Sequence, residues 1–139
     1  MPSVLVTGAG RGIGEAIALR LTGSGWTVLA GVRDDSSGDR LTSRDGRITP
    51  VLLDVTNEAH IAALADRLPA RLDAVVNNAG IGVLGPVEAV SIPDFRRQFE
   101  VNLFGPVAVT QAVLPRIRAS KGRIVFISSL NGRISVPLF

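Results

Sequence analysis

Three absences narrow the classes of protein to which this sequence can belong. It has no cysteine, which excludes disulfide bonds and thiolate metal sites. It has no tyrosine, so no phenol is present to act as an acid or base. No apolar run is long enough to span a bilayer, and the N-terminus has no signal-peptide pattern. We therefore predict a cytoplasmic protein without a metal site and without a membrane partner.

The charges are also few and evenly spread. Fifteen Lys and Arg against 12 Asp and Glu leave a net charge of +3, with no basic block. Such a pattern is typical of a solvated surface, so we predict no nucleic-acid partner. Because 46% of the 139 residues are apolar, the chain can bury a core. We expect residues 1–139 to form one domain.

Short apolar runs alternate with helical segments along the chain. Strands that are apolar throughout are typical of a sheet covered on both faces, and the alternation implies parallel strands. The predicted fold class is therefore α/β, a doubly wound parallel sheet of the Rossmann type with at least five strands. The strand predictions are Val4–Val6, Thr27–Ala30, Ile48–Leu53, Leu72–Val76 and Ile124–Ile127.

The segments between the strands give weaker signals. Residues 34–46 are rich in Ser, Asp, Gly and Arg, which predicts a loop. Residues 101–118 predict a long helix that is apolar on several sides, as expected of contact with a partner subunit. Two apolar stripes predict further helices: one at Ile13, Ile17 and Leu21, ended by Gly23 and Gly25, and one at Ile61, Leu64, Ala65 and Leu68. A capping box that begins at Ser91 predicts the start of another helix.

A glycine-rich loop joins the first strand to the first helix. It reads Gly-x-x-x-Gly-x-Gly at Gly8, Gly12 and Gly14. Glycines there permit a tight turn and let backbone N–H groups approach a pyrophosphate at the helix N-terminus. Ile13 stands where the six-residue dinucleotide fingerprint has its last glycine, and no Gly-Lys-Ser/Thr is present. Taken alone, the loop is equally compatible with a glycine-rich turn that binds nothing.

Four more motifs follow in order, and together with the loop they resemble the short-chain dehydrogenase/reductase family over the whole chain. Asp54-Val55 follows the third strand, and Asn77-Asn78-Ala79-Gly80 follows the fourth. Asn102 lies in a helix, and Ser129 follows the fifth strand. Each motif alone could have a purely structural role, but their joint placement at the carboxyl ends of successive strands favours a functional site.

The resemblance implies an oxidoreductase that moves a hydride between NADP(H) and an alcohol or ketone. It implies that Ser129 polarises the substrate carbonyl, that Asn102 anchors a water of the proton relay, and that Asp54 contacts the adenine. The cofactor-binding residues that it implies are Gly8, Gly10, Arg11, Gly12, Ile13, Gly14, Arg33, Asp54, Val55, Asn78, Ala79 and Gly80.

The sequence departs from the family at the Tyr-x-x-x-Lys motif, whose tyrosine is the acid/base. That tyrosine would fall roughly a dozen residues after the serine, beyond Phe139, and Lys121 precedes the serine. We therefore expect this chain to be the first part of a longer protein. Its fold would end after the fifth strand as a result of truncation, proteolysis or an early stop. The alternative is a non-catalytic dinucleotide-binding module or partner subunit. Asn102 and Ser129 favour the enzyme, whereas the missing tyrosine favours the module.

The resemblance also bears on cofactor, substrate and assembly. A preference for NAD usually needs an acid at the end of the second strand, where Val32 stands, followed by Arg33. With Arg11 as a second cation, this favours NADP, although Asp34 remains a rival ribose-binding acid that would favour NAD. Residues 129–139 resemble members that act on bulky apolar alcohols and ketones, such as steroids or retinoids. Family members commonly form homo-oligomers, and we expect one here.

Overall fold

The computed structural model describes residues 1–134; the predictions that fall on residues 135–139 lie outside it. Its centre is one sheet in which every strand pair is parallel. The strand order β3-β2-β1-β4-β5 confirms the predicted Rossmann-type sheet. The strands are β1 (Ser3–Val6), β2 (Thr27–Val32), β3 (Ile48–Leu52), β4 (Ala74–Asn77) and β5 (Arg123–Phe126).

The strand order creates a crevice beside β1. From β1 the chain moves outward to β2 and β3, then returns to the other side of β1 as β4. The connections that leave β1 and β4 therefore diverge at their carboxyl ends, which is where folds of this kind bind ligands.

Helices cover both faces of the sheet, and each face has its own core. Side chains alternate along β1, so that Leu5 packs in one cluster while Val4 and Val6 pack in the other. A π-helical turn at Glu100–Phe104 and a 3₁₀ turn at Leu130–Gly132 complete the described elements. The helices are α1 (Gly12–Gly23), α2 (Asp35–Arg44), α3 (Glu58–Ala62), α4 (Leu64–Arg67), α5 (Ile92–Phe99) and α6 (Gly105–Ser120).

The first helix packs on the sheet mainly through small residues, with Ile17 and Leu21 of the predicted stripe partly buried beside them. Its buried positions are Gly14, Ala18 and Thr22, one residue along from the predicted stripe. Small side chains let the helix approach the sheet closely. Ile13 remains 65% exposed beside the glycine loop.

The prediction of a loop at residues 34–46 is wrong, because most of that segment is helix α2. Asp34 caps the helix by accepting a hydrogen bond from the Ser37 N–H at 2.8 Å. Leu41 is fully buried, and Gly38 lies so close to Pro50 that an added Cβ would be 2.8 Å from the Pro50 Cβ. Tertiary packing thus overrides the weak helix propensity of the segment.

Two other helix predictions need correction. The stripe from Ile61 to Leu68 is not one helix but α3 and α4, with a break at Ala63. The helix predicted over residues 101–118 begins as the π-helical turn and continues as α6, whose first residue, Gly105, packs against Val55. An added Cβ there would lie 2.8 Å from the Val55 Cγ2, so only glycine permits this approach.

Apolar side chains are exposed on β5 and on the π-helical turn, among other places. On β5, which forms one edge of the sheet, Phe126 is 55% exposed and Ile124 is 36% exposed. On the π-helical turn, Leu103 and Phe104 are about half exposed, so the described residues do not bury this segment on all sides. Within residues 1–134, no helix is both long and apolar enough to cross a membrane.

Candidate dinucleotide-binding site

A cleft of about 800 Å³ opens at the carboxyl ends of β1, β2 and β4. The cleft therefore lies where the strand order places a crevice, and the sequence motifs meet in it. Every residue that sequence analysis assigned to the cofactor lines this cleft: Gly8, Gly10, Arg11, Gly12, Ile13, Gly14, Arg33, Asp54, Val55, Asn78, Ala79 and Gly80.

Glycine is required at three positions of the loop for two different reasons. Gly8 and Gly12 have φ values of +63° and +57°, in the left-handed region that side chains disfavour. A Cβ on Gly14 would lie 2.2 Å from the Gly8 carbonyl oxygen and 2.5 Å from the Asn78 Nδ2. The loop therefore folds back onto the first turn of α1, and this leaves no room for a side chain at Gly14.

The N-terminus of α1 presents unpaired backbone N–H groups to the cleft. The first N–H groups of a helix have no partner within it, and Arg11 at the N-cap supplies no side-chain bond to them. A Cβ on Gly12 would meet nothing within 4 Å among the described residues. This open, positively polarised helix end fits the pyrophosphate of a dinucleotide.

Thr7 and Asn78 bind the glycine loop to the end of β4. The buried Thr7 hydroxyl accepts hydrogen bonds from the N–H groups of Asn78 and Ala79, both at 3.0 Å. The Asn78 Nδ2 donates to the carbonyl oxygens of Thr7 at 3.0 Å and Gly8 at 3.2 Å. The two walls of the cleft are therefore held in fixed register.

Asp54 lies at the far end of the cleft with its carboxylate ordered by Thr56. The N–H and hydroxyl of Thr56 donate to the Asp54 Oδ1 at 2.9 and 2.7 Å. The hydrogen bond from the Thr56 N–H is the main cause that lowers the pKa of Asp54. The Asp54 N–H donates to the Nδ1 of His60 at 3.1 Å, so this histidine supports the loop.

The end of β2 carries an apolar residue, a cation and an acid in succession. Val32 is buried, whereas Arg33 and Asp34 are exposed and line the cleft. The Asp34 carboxylate accepts hydrogen bonds from the Ser36 hydroxyl and from the N–H and hydroxyl of Ser37. The hydrogen bond from the Ser36 hydroxyl is the largest cause that lowers the pKa of Asp34, and the bonds from Ser37 lower it further. The acid is thus bound to the start of α2.

Helix α2 contributes to the cleft, which the sequence pattern did not predict. Ser37 and Arg40 both line it, and a Cβ on Gly10 would lie 3.2 Å from the Ser37 Cβ. The Arg40 Nη2 donates to the Gly10 carbonyl oxygen and, at 3.2 Å, to the Glu15 Oε2. The available signal was Asp34 as an N-cap three residues before Ser37, but it was masked by the polar composition of the segment.

The predicted catalytic residues flank the cleft without lining it. Asn102 lies in the π-helical turn, and its side-chain oxygen lies 3.4 Å from where a Cβ on Gly80 would stand. Its amide exchanges two hydrogen bonds with the backbone of Ile81. Asn102 therefore fixes the loop that continues from the cleft wall.

Ser129 lies one strand farther out, beyond the end of β5. It caps the 3₁₀ turn by accepting a hydrogen bond from the Asn131 N–H at 3.2 Å, and it is exposed. Lys121 ends α6 in the left-handed conformation on the surface, as expected for a turn residue. Within residues 1–134, no hydrogen bond joins Ser129 to Asn102.

Comparison with known proteins shows the family and the fold. The model of the short chain dehydrogenase family matches residues 2–139. The chain belongs to this family. Its members are oxidoreductases that bind nicotinamide dinucleotides.

The relatives and structural neighbours of this short-chain dehydrogenase chain carry varied names. Retinol dehydrogenase 5 of Mus musculus is 36% identical over 95% of this chain and 44% of its own length. A short-chain dehydrogenase from Streptomyces avermitilis superposes with a TM-score of 0.90 at 36% identity, over 99% of this chain and 53% of its own.

Two further neighbours, each 28% identical with a TM-score of 0.90 over 99% of this chain, carry different cofactors. One is a 7α-hydroxysteroid dehydrogenase in complex with NADH, of which 56% is covered. The other is ElxO with NADP bound, of which 59% is covered. The chain spans about half the length of the curated relatives that it matches.

Proposed function

We propose that this chain is the cofactor-binding part of an NADP(H)-dependent alcohol dehydrogenase or ketone reductase. The observation that carries the proposal is the single cleft lined by the twelve motif residues. The glycine loop and the N-terminus of α1 would hold the pyrophosphate. Asp54 would hold the adenine, and the backbone from Asn78 to Gly80 would line the path toward the nicotinamide.

Preference for NADP over NAD is supported by the end of β2. An NAD site uses a free carboxylate there to bind the ribose hydroxyls. In this chain Val32 is buried in that place, and the carboxylate of Asp34 is bonded to Ser36 and Ser37. Arg33 and Arg11 line the same cleft, and their guanidinium groups suit a 2′-phosphate.

The reaction needs a hydride and a proton. The bound nicotinamide supplies the hydride in reduction and accepts it in oxidation. Ser129 would donate a hydrogen bond to the carbonyl oxygen, and Asn102 would orient a water of the proton relay. Neither group is acidic enough to protonate an alkoxide, and the sequence has no tyrosine. We therefore expect residues 1–139 alone to be inactive, because losing a general acid costs about 10²–10⁴ in rate.

A second function is favoured by the missing tyrosine. A non-catalytic dinucleotide-binding module, or a partner subunit, needs the cleft but no acid. The retained Asn102 and Ser129 favour the enzyme over this alternative. The gene sequence after Phe139 distinguishes them, since a Tyr-x-x-x-Lys motif supports the enzyme and a natural stop codon supports the module.

A lipophilic substrate and a homo-oligomeric assembly complete the proposal, with the cytoplasm as its location. The names of the retinol and hydroxysteroid dehydrogenases among the relatives and neighbours support an apolar alcohol or ketone. The exposed apolar side chains of the π-helical turn and of β5 support association. A gene product that turns over only small polar sugars would refute the lipophilic substrate. A monomer by light scattering at micromolar concentration would refute the homo-oligomer.

The decisive experiment compares residues 1–139 with the same chain extended through its gene. Both are assayed for NADPH oxidation with a panel of apolar and polar ketones, alongside size-exclusion chromatography. We expect turnover only in the extended protein and self-association of the short one through the exposed edge of β5. A monomeric short chain that reduces ketones would overturn both expectations.

A further inference from the structure

The carboxylate of Glu15 is a negative charge near the proposed pyrophosphate site, where it would weaken binding of the cofactor. Glu15 lies in the first turn of α1, and that helix end faces the proposed pyrophosphate. Its side chain is only 16% exposed, so water screens it poorly. An acid near a helix N-terminus is favourable in the absence of ligand, but it repels a bound diphosphate at short range.

Two arginines of α2 neutralise this carboxylate. Arg40 contacts the Oε2 of Glu15 at 3.2 Å, and Arg44 contacts the Oε1. They are four residues apart and thus lie on one face of α2. Together the three side chains carry a net charge of +1, so the first turn of α1 keeps its positive character.

The two arginines are not equivalent. Arg40 also donates to the carbonyl oxygen of Gly10 in the glycine loop and lines the cleft, whereas Arg44 does neither within the described residues. Ser37, three residues earlier on α2, packs on Gly10 as well. Arg40 is thus the side chain that connects α2, the glycine loop and the first turn of α1.

Resting on the proposed function, we propose that Arg40 is a positioning residue for the dinucleotide: it fixes the glycine loop through the Gly10 carbonyl and neutralises Glu15 beside the pyrophosphate. Since the pyrophosphate is common to NADPH and NADH, Arg40 sets the affinity for both cofactors. The choice between the cofactors is set by Arg33 instead.

The test measures the dissociation constants of NADPH and NADH by fluorescence titration of the whole gene product. Arg40→Met should weaken both by about tenfold, the loss expected for one charge-assisted hydrogen bond. The ratio between the two constants should stay within about threefold of wild type. Arg44→Met is the matched control and should change either constant less than about threefold, because Glu15 keeps Arg40. Arg40→Lys should retain part of the affinity through a single donor.

The electrostatic part is tested by a second substitution. In Arg40→Met, Glu15 keeps only Arg44, and the net charge of this group falls from +1 to zero. If Glu15 then weakens binding of the diphosphate, Glu15→Gln in the Arg40→Met background should recover at least about threefold in affinity, although the double variant has fewer ion pairs. The arginine partner of each ion pair is about half exposed, and such pairs contribute little to stability, so the melting temperatures of all variants should stay close to wild type. A purely structural role would instead move stability and affinity together, with no recovery.

Three results would overturn the inference while wild type still binds dinucleotide. They are unchanged affinity in Arg40→Met, an equal loss in Arg44→Met, or no recovery with Glu15→Gln. Absence of NADPH and NADH binding to the wild-type gene product would overturn the proposed function itself, and the inference with it.

Discussion

Asn102 and Ile81 bond each other in both directions. The Ile81 N–H donates to the Asn102 Oδ1 at 2.9 Å, and the Asn102 Nδ2 donates to the Ile81 carbonyl oxygen at 2.8 Å. Only a side-chain amide offers a donor and an acceptor at this spacing. The π-helical turn that carries Asn102 is thereby joined to the loop that follows Gly80.

Replacement of Asn102 should therefore affect both stability and cofactor binding. Asn102→Ala removes both hydrogen bonds, and we expect a loss of about 1–2 kcal/mol in the free energy of unfolding. NADPH affinity should also fall several-fold, because Ile81 lines the cleft. Chemical denaturation and NADPH titration measure the two effects. Leu103→Ala, an exposed neighbour in the same turn, is the control; equal behaviour of the two variants would contradict the assigned role.

The glycine loop allows a sharper stability test. Gly14→Ala places a Cβ 2.2 Å from the Gly8 carbonyl oxygen, and we expect a destabilisation of about 3 kcal/mol or more. Gly23→Ala, in the same helix, meets no atom within 4 Å and should stabilise the protein by about 0.4–1 kcal/mol. Urea unfolding of both variants measures the difference. Tolerance of alanine at position 14 would mean that the loop and helix do not approach as described.

Asp45 makes the stability of the folded state depend on pH, and the direction of its pKa shift gives the sign of that dependence. The Arg47 side chain, with Nε at 3.0 Å and Nη2 at 2.7 Å, is the main cause that lowers the pKa of Asp45 well below its usual range. A carboxyl whose pKa is lowered by folding stabilises the folded state above its unfolded pKa of about 3.9 and loses this contribution as the pH falls further.

Wild type should therefore exceed Asp45→Asn in melting temperature at pH 6, and this advantage should shrink below about pH 4. Thermal melts from pH 6 to pH 2 measure it. Asp66→Asn is the control, since the Asp66 carboxylate accepts no hydrogen bond in the described part of the chain. An advantage that grows on acidification would contradict the assignment.

The sheet and the cleft could be predicted from sequence because both depend on local signals. Buried parallel strands are apolar throughout, and glycines with positive φ or close contacts leave a fixed pattern at Gly8, Gly12 and Gly14. Since parallel strands bring their carboxyl ends together, the residues after them necessarily meet at one edge. No strand bound differs from its prediction by more than two residues.

The remainder depends on contacts that no local pattern reveals. Helix α2 forms around one buried leucine, Leu41, and a cap from Asp34, so its composition resembles a loop. Gly105, directly after the π-helical turn, approaches Val55, which lies fifty residues earlier in the chain. The role of Arg40 requires α2 to be placed against the glycine loop, and it could not be inferred while α2 was assigned as a loop.

The most direct test of the account is the relative affinity of the wild-type gene product for NADPH and NADH. A charged hydrogen bond from Arg33 to the 2′-phosphate predicts at least about tenfold tighter binding of NADPH, and loss of that preference in Arg33→Ala. Arg20→Ala, an exposed arginine of α1 outside the cleft, should leave both affinities unchanged. Equal affinities for the two cofactors in wild type, or an unchanged NADPH affinity in Arg33→Ala, would contradict the account.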